Sequence, residues 1–328
     1  MSTSLPGVRT SDLLDTVRVT RLRVTLVATE SGALPAFPGS MIRGLLGWGL
    51  KDVLCSRESA ARCEQCHLAD ACRYPALFEP ALHPAGLVPG VADPSPPFVI
   101  AFPESFPRAV EACDTLTFTV TLFGRSAQYA SDYIAAFFAA ATRGYRLGDR
   151  GGPFGVGRVS VAFPDNRWQE VSPSDRLTLD DISLPLSQLA GPETTSHPGR
   201  LTVEFVTPIR LKTDNHVTGS PRFGVLVDRL ADRVARILGT WHGIEWLEHR
   251  REFCRDAHAV RAISSTARRM HVTRHSNRQR TSMDLPGVQG AVTYEGPVSA
   301  YLPILRLGEF LHVGKNTSAG FGRIRVSA

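Results

Sequence analysis

The sequence predicts an α+β fold made of two ferredoxin-like domains in tandem, each in the RRM-like order β-α-β-β-α-β. Three observations predict it. Strand and helix patterns follow one another in the same order in both halves of the chain. Each half ends on a glycine-rich loop that runs into a strand, Gly151-Gly152-Pro153-Phe154-Gly155-Val156-Gly157-Arg158 in mid-chain and Gly314-Lys315 through Gly320-Phe321-Gly322-Arg323 at the end. A hydrophobic content of 43% over 328 residues is enough for two cores of ordinary size. The expected first domain is 1–163, the second is 201–328, and 164–200, rich in Pro, Ser and Asp, reads as a linker. A single larger α+β domain is the alternative.

The elements follow in order. Residues 17–27 alternate as a strand, with a slip at Thr20-Arg21 that points to a bulge. Pro38-Gly39-Ser40 opens a helix from Met41 to Leu54, apolar at Leu45, Trp48, Leu50 and Leu54, with Arg43 and Lys51 on other faces. Pro97 to Phe102 reads as a short strand. From Thr115 to Leu122, Leu116, Phe118, Val120 and Leu122 alternate with threonines in a second one. Ser126 to Thr142 carries a helical stripe of Tyr129, Tyr133, Ile134, Phe137, Phe138 and Ala141, and Arg158 to Phe163 closes the unit. In the second half, Leu201, Val203 and Phe205 mark a strand and Phe223, Leu226, Leu230, Val234 and Ile237 a helix. A basic hairpin near 268–280, a strand Gly290 to Gly296, a helix Ser299 to Leu311 and a strand Arg323 to Val326 complete it.

An insert over 55–96 holds Cys55, Cys63, Cys66 and Cys72, spaced C-x7-C-x2-C-x5-C. The tight Cys63-Glu64-Gln65-Cys66 pair lets two thiolates grip one metal, and Cys55 and Cys72 complete a tetrahedron. Four sulfur ligands with no open position describe a structural zinc, which would supply folding energy to a stretch without a core of its own. An iron–sulfur cluster and four unligated thiols are the alternatives, and His67 can replace one cysteine. Cys113 and Cys254 read as ordinary core or surface residues.

The formal net charge is +6. Between Arg261 and Arg280 stand six arginines and two histidines, uninterrupted by any acid. A solvated face usually mixes signs, so this block suits a phosphate backbone, with a basic loop or protein contact as the alternative. The terminal loop suits the same ligand. Gly314, Gly320 and Gly322 let backbone N–H groups approach it, Lys315 and Arg323 add charge, and Ser318 adds a hydroxyl. The candidate RNA-binding set is therefore these six residues with Arg268, Arg269, His271, Arg274, Arg278 and Arg280.

The sequence contains neither a Walker A motif nor an acidic cluster for two-metal nuclease chemistry. RNA cleavage by this chain would proceed without metal: the ribose 2′-OH attacks the adjacent phosphate, a base takes its proton and an acid protonates the 5′ leaving oxygen. Histidine fits either proton role. His312 at the glycine loop and His271 and His275 in the arginine block are the candidates. His67, His83, His197, His242, His249 and His258 read as solvated. No apolar run approaches the ~20 residues that span a bilayer. The first seven residues lack the apolar core of a signal peptide, so a cytoplasmic location is expected.

Five segments together resemble a known family: Phe37-Pro38-Gly39-Ser40-Met41-Ile42-Arg43-Gly44-Leu45-Leu46-Gly47; Cys63-Glu64-Gln65-Cys66 with Cys72-Arg73-Tyr74 and Leu77-Phe78-Glu79-Pro80; Leu122-Phe123-Gly124; Arg274-His275-Ser276-Asn277-Arg278-Gln279; and His312-Val313-Gly314-Lys315 through Gly320-Phe321-Gly322. In these the chain resembles the CRISPR-associated precursor-RNA processing endoribonucleases, the sixth Cas family of the RAMP superfamily. The resemblance implies two ferredoxin-like domains and recognition of CRISPR repeat RNA. It also implies cofactor-free cleavage to a 5′-hydroxyl end and a mature guide RNA handed to the subunits of an effector complex. It assigns RNA contact to Gly314, Lys315, Gly320 and Gly322. Many members place a catalytic histidine near the first helix, whereas here no histidine precedes His67. Arg43 therefore joins His312 and His275 as a catalytic candidate, and a non-catalytic subunit that holds guide RNA is the alternative reading.

Overall fold

The computed structural model describes residues 7–55, 63, 66, 68, 71–80, 94–148, 150–165, 167–190, 199–213, 216, 217, 221–246, 250–276 and 281–327, with the backbone alone at 212, 213, 216, 217, 274–276, 281 and 282. Two compact units result. The first spans Arg18–Leu184 with Thr240–His242, and the second comprises Pro185–Gly239 and the chain from Gly243 onward, together with the residues up to Val17.

In the first unit the elements are β1 (Arg18–Ala28), α1 (Gly39–Leu54), α2 (Arg73–Phe78), β2 (Phe98–Ala101), β3 (Thr115–Phe123), α3 (Ala130–Thr142), β4 (Phe154–Ala162) and β5 (Trp168–Glu170). The antiparallel sheet runs β2-β3-β1-β4-β5, and its first four strands have the ferredoxin-like order. Alternation along the strands sends Leu22, Val24 and Leu26 of β1 and Leu116, Phe118 and Val120 of β3 to one buried face. There they join Ile42, Leu46 and Leu50 of α1 and Tyr133, Ile134 and Phe137 of α3 in one core. Gly49 sets the approach of the two helices, because a Cβ at that position would lie 1.9 Å from the Ala136 carbonyl oxygen.

Two expectations need correction here. Trp48, assigned to the apolar stripe of α1, is 48% exposed, because Leu45, Leu46, Gly49 and Leu50 form the face turned to α3. The β1 slip at Thr20-Arg21 is not a bulge: register with β3 is unbroken there, and the shift falls against β4 between Thr25 and Leu26. Thr20 is buried because its hydroxyl donates to the Ile182 carbonyl oxygen (2.9 Å).

The second unit contains β6 (Arg200–Ile209), α4 (Phe223–Ile237), α5 (Arg250–Ala257), β7 (Arg261–Ser265), β8 (Arg268–Ser276), β9 (Thr281–Glu295), α6 (Leu302–Leu311) and β10 (Ile324–Ser327). Its sheet runs β7-β9-β6-β10, with β8 pairing farther along β9. Strand order and helix placement repeat those of the first unit, so the tandem of ferredoxin-like folds is the architecture observed. Phe223, Leu226, Leu230, Val234 and Ile237 of α4 are all buried, as their helical spacing requires.

The unit boundaries differ from the composition-based ones. Within 164–200, β5 pairs with β4 and Ile182 and Leu184 are buried, so the first unit runs past residue 163. Isolated apolar residues among polar ones carry no periodic signal. At the other end, Leu13, Leu14 and Val17 are buried, and the Trp246 indole donates to Thr10 Oγ1 (3.1 Å), which ties the leading segment into the second unit. Among the described residues no helix is long and apolar enough to cross a membrane.

Candidate nucleic-acid interface

The site grows from an irregularity in β6. Its register against β9 shifts between Phe205 and Ile209, and Arg210 stands just beyond. Arg210 Nε donates to the Pro286 carbonyl oxygen of β9 (2.9 Å), and its guanidinium donates again to Asn316 Oδ1 of the terminal loop (3.3 Å). Its own carbonyl oxygen accepts from Lys315 N (3.2 Å). One arginine thus ties the basic hairpin to the glycine-rich loop. Burial holds its pKa below the usual arginine value, and the Asp284 carboxylate opposes that shift.

Asp284 also meets His271. Its Oδ2 lies 2.7 Å from His271 Nδ1, and both side chains are exposed. His271 stands opposite Pro286 in the β8–β9 register, so the imidazole, the carboxylate and Arg210 share one end of the hairpin. With Nδ1–H donating to Asp284, Nε2 is the nitrogen placed to exchange a proton. Arg268 and Arg269 are exposed on β8, opposite Gln289 and Val288. Arg274 and His275 pair with Met283 and Ser282 through the backbone, and their side chains lie outside the described residues, as do Arg278 and Arg280 entirely.

The terminal loop is more enclosed than a ligand cradle requires. Gly320, Gly322 and Ser318 are buried, Gly314 and Arg323 half-buried, and Lys315 exposed. Gly322 has φ +72°, and a Cβ there would lie 1.8 Å from the Val313 carbonyl oxygen. Val313 N donates to the Gly322 carbonyl oxygen (2.8 Å), so this glycine closes the loop on itself. Gly314, at φ +90°, brings the backbone against Arg210 in the same way.

His312 is only 1% exposed. Its Nδ1 meets the Phe321 carbonyl oxygen (3.2 Å), and Arg233 Nε donates to the neighbouring Leu311 carbonyl oxygen (2.7 Å). Burial pushes the His312 pKa down to about 3, with Arg233 and Arg323 acting in the same direction and the Phe321 hydrogen bond opposing them. A neutral, enclosed imidazole braces the loop, and this placement argues against the proton role expected for it. Arg43 belongs to the first unit, where its guanidinium covers the Phe78 ring at 4.2 Å and donates to the Phe78 carbonyl oxygen (3.4 Å).

Two histidines expected in solvent also have partners: His242 Nε2 accepts from Arg18 N (3.0 Å), and the exposed His258 has its Nε2 3.0 Å from Asp228 Oδ2. His67, His83, His197 and His249 lie outside the described residues. Cys55 is exposed at the end of α1, while Cys63, Cys66 and Cys72 are partly buried. Burial raises the Cys63 pKa; Lys51 lowers it, and Glu79, Cys72 and Cys55 raise it. Among the described residues no group of three or more His, Cys, Asp or Glu is placed to hold a metal ion.

The reading of the sequence missed Arg210, Asp284 and Asn316. Asp284 had a signal, as the first acid after the arginine block. Arg210 and Asn316 had none, because only the β6 irregularity and the loop closure bring them together.

Two antiparallel ferredoxin-like sheets, the second bearing a basic hairpin and a glycine-rich closing loop, define the class of double ferredoxin-like proteins. Residues 16–181 match a family model described as an N-terminal domain, and residues 203–324 match that of the CRISPR-associated endoribonuclease Cas6. The match to the Cas6 family of CRISPR-associated endoribonucleases thus falls, apart from Thr240–His242, within the second unit. Among solved structures, a Cas6 product complex is 17% identical with a TM-score of 0.56, over 94% of this chain and 99% of that one. Thermus thermophilus Cas6 is 15% identical with a TM-score of 0.52, over 95% of this chain and 99% of that one. A partial Cas6-RT-Cas1–Cas2 complex is 13% identical with a TM-score of 0.57, over 98% of this chain and 47% of that one. At these identities the likeness is one of fold. No curated protein matches the chain.

Proposed function

We propose that the protein binds CRISPR repeat RNA and cleaves it as a metal-independent endoribonuclease. The 2′ oxygen attacks the adjacent phosphorus and the bond to the 5′ oxygen breaks. A cyclic phosphate and a 5′-hydroxyl are left. The observation that supports this reading is the cluster at the hairpin end, where the His271–Asp284 pair stands beside Arg210 and the Asn316–Lys315 turn. An imidazole held by a carboxylate can accept the 2′ proton or supply one to the leaving oxygen. Arg210 and Lys315 offer positive charge to the phosphorane. Cas6 structures with bound product and within a Cas6-RT-Cas1–Cas2 assembly support repeat RNA and other CRISPR proteins as its partners.

The test is single-turnover cleavage of a repeat RNA in EDTA, repeated with a 2′-deoxy residue at the scissile position. Cleavage that survives EDTA and stops with the deoxy substrate is expected; dependence on magnesium sinks the reading. His271→Ala is expected to slow cleavage by about 10²–10⁴-fold with little change in RNA affinity. His275→Ala and Arg43→Ala, run alongside, assign the other proton and charge roles. The second reading, a guide-RNA-holding subunit that does not cut, draws on the absence of histidine from α1 and the enclosure of His312. It predicts tight repeat binding with no cleavage between pH 6 and 9.

A further inference from the structure

The sheet of the first unit buries one face against α1 and α3. The other face carries Arg21, Arg23 and Thr25 of the central strand β1, Thr117 of β3, Arg158 of β4 and Trp168 of β5. Arg23, Thr117 and Arg158 are exposed and Trp168 is half-buried. Two long cations at outward positions of a central strand cost side-chain entropy, and their shared neighbour is the Trp168 indole. The guanidinium carbons of Arg23 and Arg21 lie 3.8 and 5.4 Å from its ring centroid. Arg158 is matched by Glu170 at 3.3 Å, and Arg23 presents an exposed guanidinium on this face. Beside the stack, Thr25 Oγ1 and Thr117 Oγ1 lie 3.0 Å apart, and Thr115, Thr119 and Thr121 share that face of β3.

We infer that this face of the first unit is a binding platform for single-stranded RNA. A guanidinium lying on an indole is flat, cationic and desolvated on its inner side. That geometry suits an unpaired base, which stacks on it with little regard to sequence. The exposed Arg23 guanidinium attracts a phosphate, and the threonine hydroxyls are hydrogen-bonding partners for phosphate oxygens and 2′-hydroxyls. An acidic protein segment would satisfy the charges and leave the flat stack unused, so the planar component decides for nucleic acid. The competing role is purely internal, a latch that holds the short edge strand β5 onto β4.

The experiment uses the full chain and a fluorescein-labelled oligouridine of about 12 nucleotides, titrated by anisotropy. A repeat hairpin without single-stranded flanks serves as the second probe. Trp168→Ala is expected to weaken oligouridine binding by about 5- to 150-fold, the worth of one stacked base, and to leave hairpin binding unchanged. Trp168→Phe, which still stacks, stays within a few-fold of wild type. Arg23→Gln weakens binding and reduces the slope of log affinity against log salt by about 0.7. Crosslinking of a 4-thiouridine oligomer is expected to mark the peptide that contains Trp168. Should Trp168→Ala fail to fold, Arg23→Gln leaves the indole in place and decides the matter. Unchanged oligouridine affinity in Arg23→Gln and Trp168→Ala overturns the inference, as does equal loss for both probes or a crosslink confined to the second unit. Because oligouridine is never cleaved or folded in this assay, the result is readable whether or not the repeat is a substrate.

Discussion

At the scale of single residues, His312 and Gly322 bear on the folding of the glycine loop. The His312 pKa falls from an ordinary value of 6.5 to about 3 on folding. The unfolded chain therefore binds a proton that the folded chain refuses. The stability involved is fully present above pH 6.5 and is lost as pH falls toward 3, at about 1.4 kcal/mol per unit. Unfolding by denaturant should show about 2 kcal/mol less stability from this group at pH 5 than at pH 6.5, and His312→Gln should flatten that slope. An unaltered slope in the variant contradicts the buried neutral imidazole. Gly322→Ala adds a Cβ against the Val313 carbonyl oxygen at φ +72° and should cost about 2–5 kcal/mol, read in the thermal midpoint. The sequence made both residues visible for another reason. Glycine, lysine and arginine in one loop resemble a phosphate cradle, and nothing in a linear pattern tells a glycine that clears room for a ligand from one that clears room for its own chain.

At the scale of elements, strands and helices with strict alternation or helical spacing were legible, since Leu116 to Leu122 and Phe223 to Ile237 bury the residues that their periods demand. The short α2 and β5 were not, because a few residues with scattered apolar positions leave no period to read. The hairpin β8–β9 was legible as charge, yet its His271 contact and its tie to the glycine loop depend on Asp284 and Arg210, which stand outside the block. Asp284→Asn should keep the hairpin and weaken the orientation of His271, so cleavage should fall while RNA affinity holds, measured as rate against Kd. The cysteine-bearing insert after α1 is the element where a metal remains a proposal. Metal analysis of purified protein should find about one zinc per chain, lost in Cys63→Ser, and a folded protein without zinc refutes it.

At the scale of the molecule, the duplication was legible because both halves repeat one order of elements, and the same order of strands recurs in both sheets. The exact division was not, since the residues up to Val17 fold with the second unit through Trp246 and Thr10, a pairing that no local signal announces. Strand β9 has a further consequence. Over 292–295 it is flanked by β6 on one side and β7 on the other, whereas over 281–287, among the described residues, β8 is the one strand it pairs with. Amide hydrogen exchange should therefore step within one continuous strand, slow toward Glu295 and fast toward Thr281. The half that carries Asp284 can breathe while the half in the sheet keeps the domain closed.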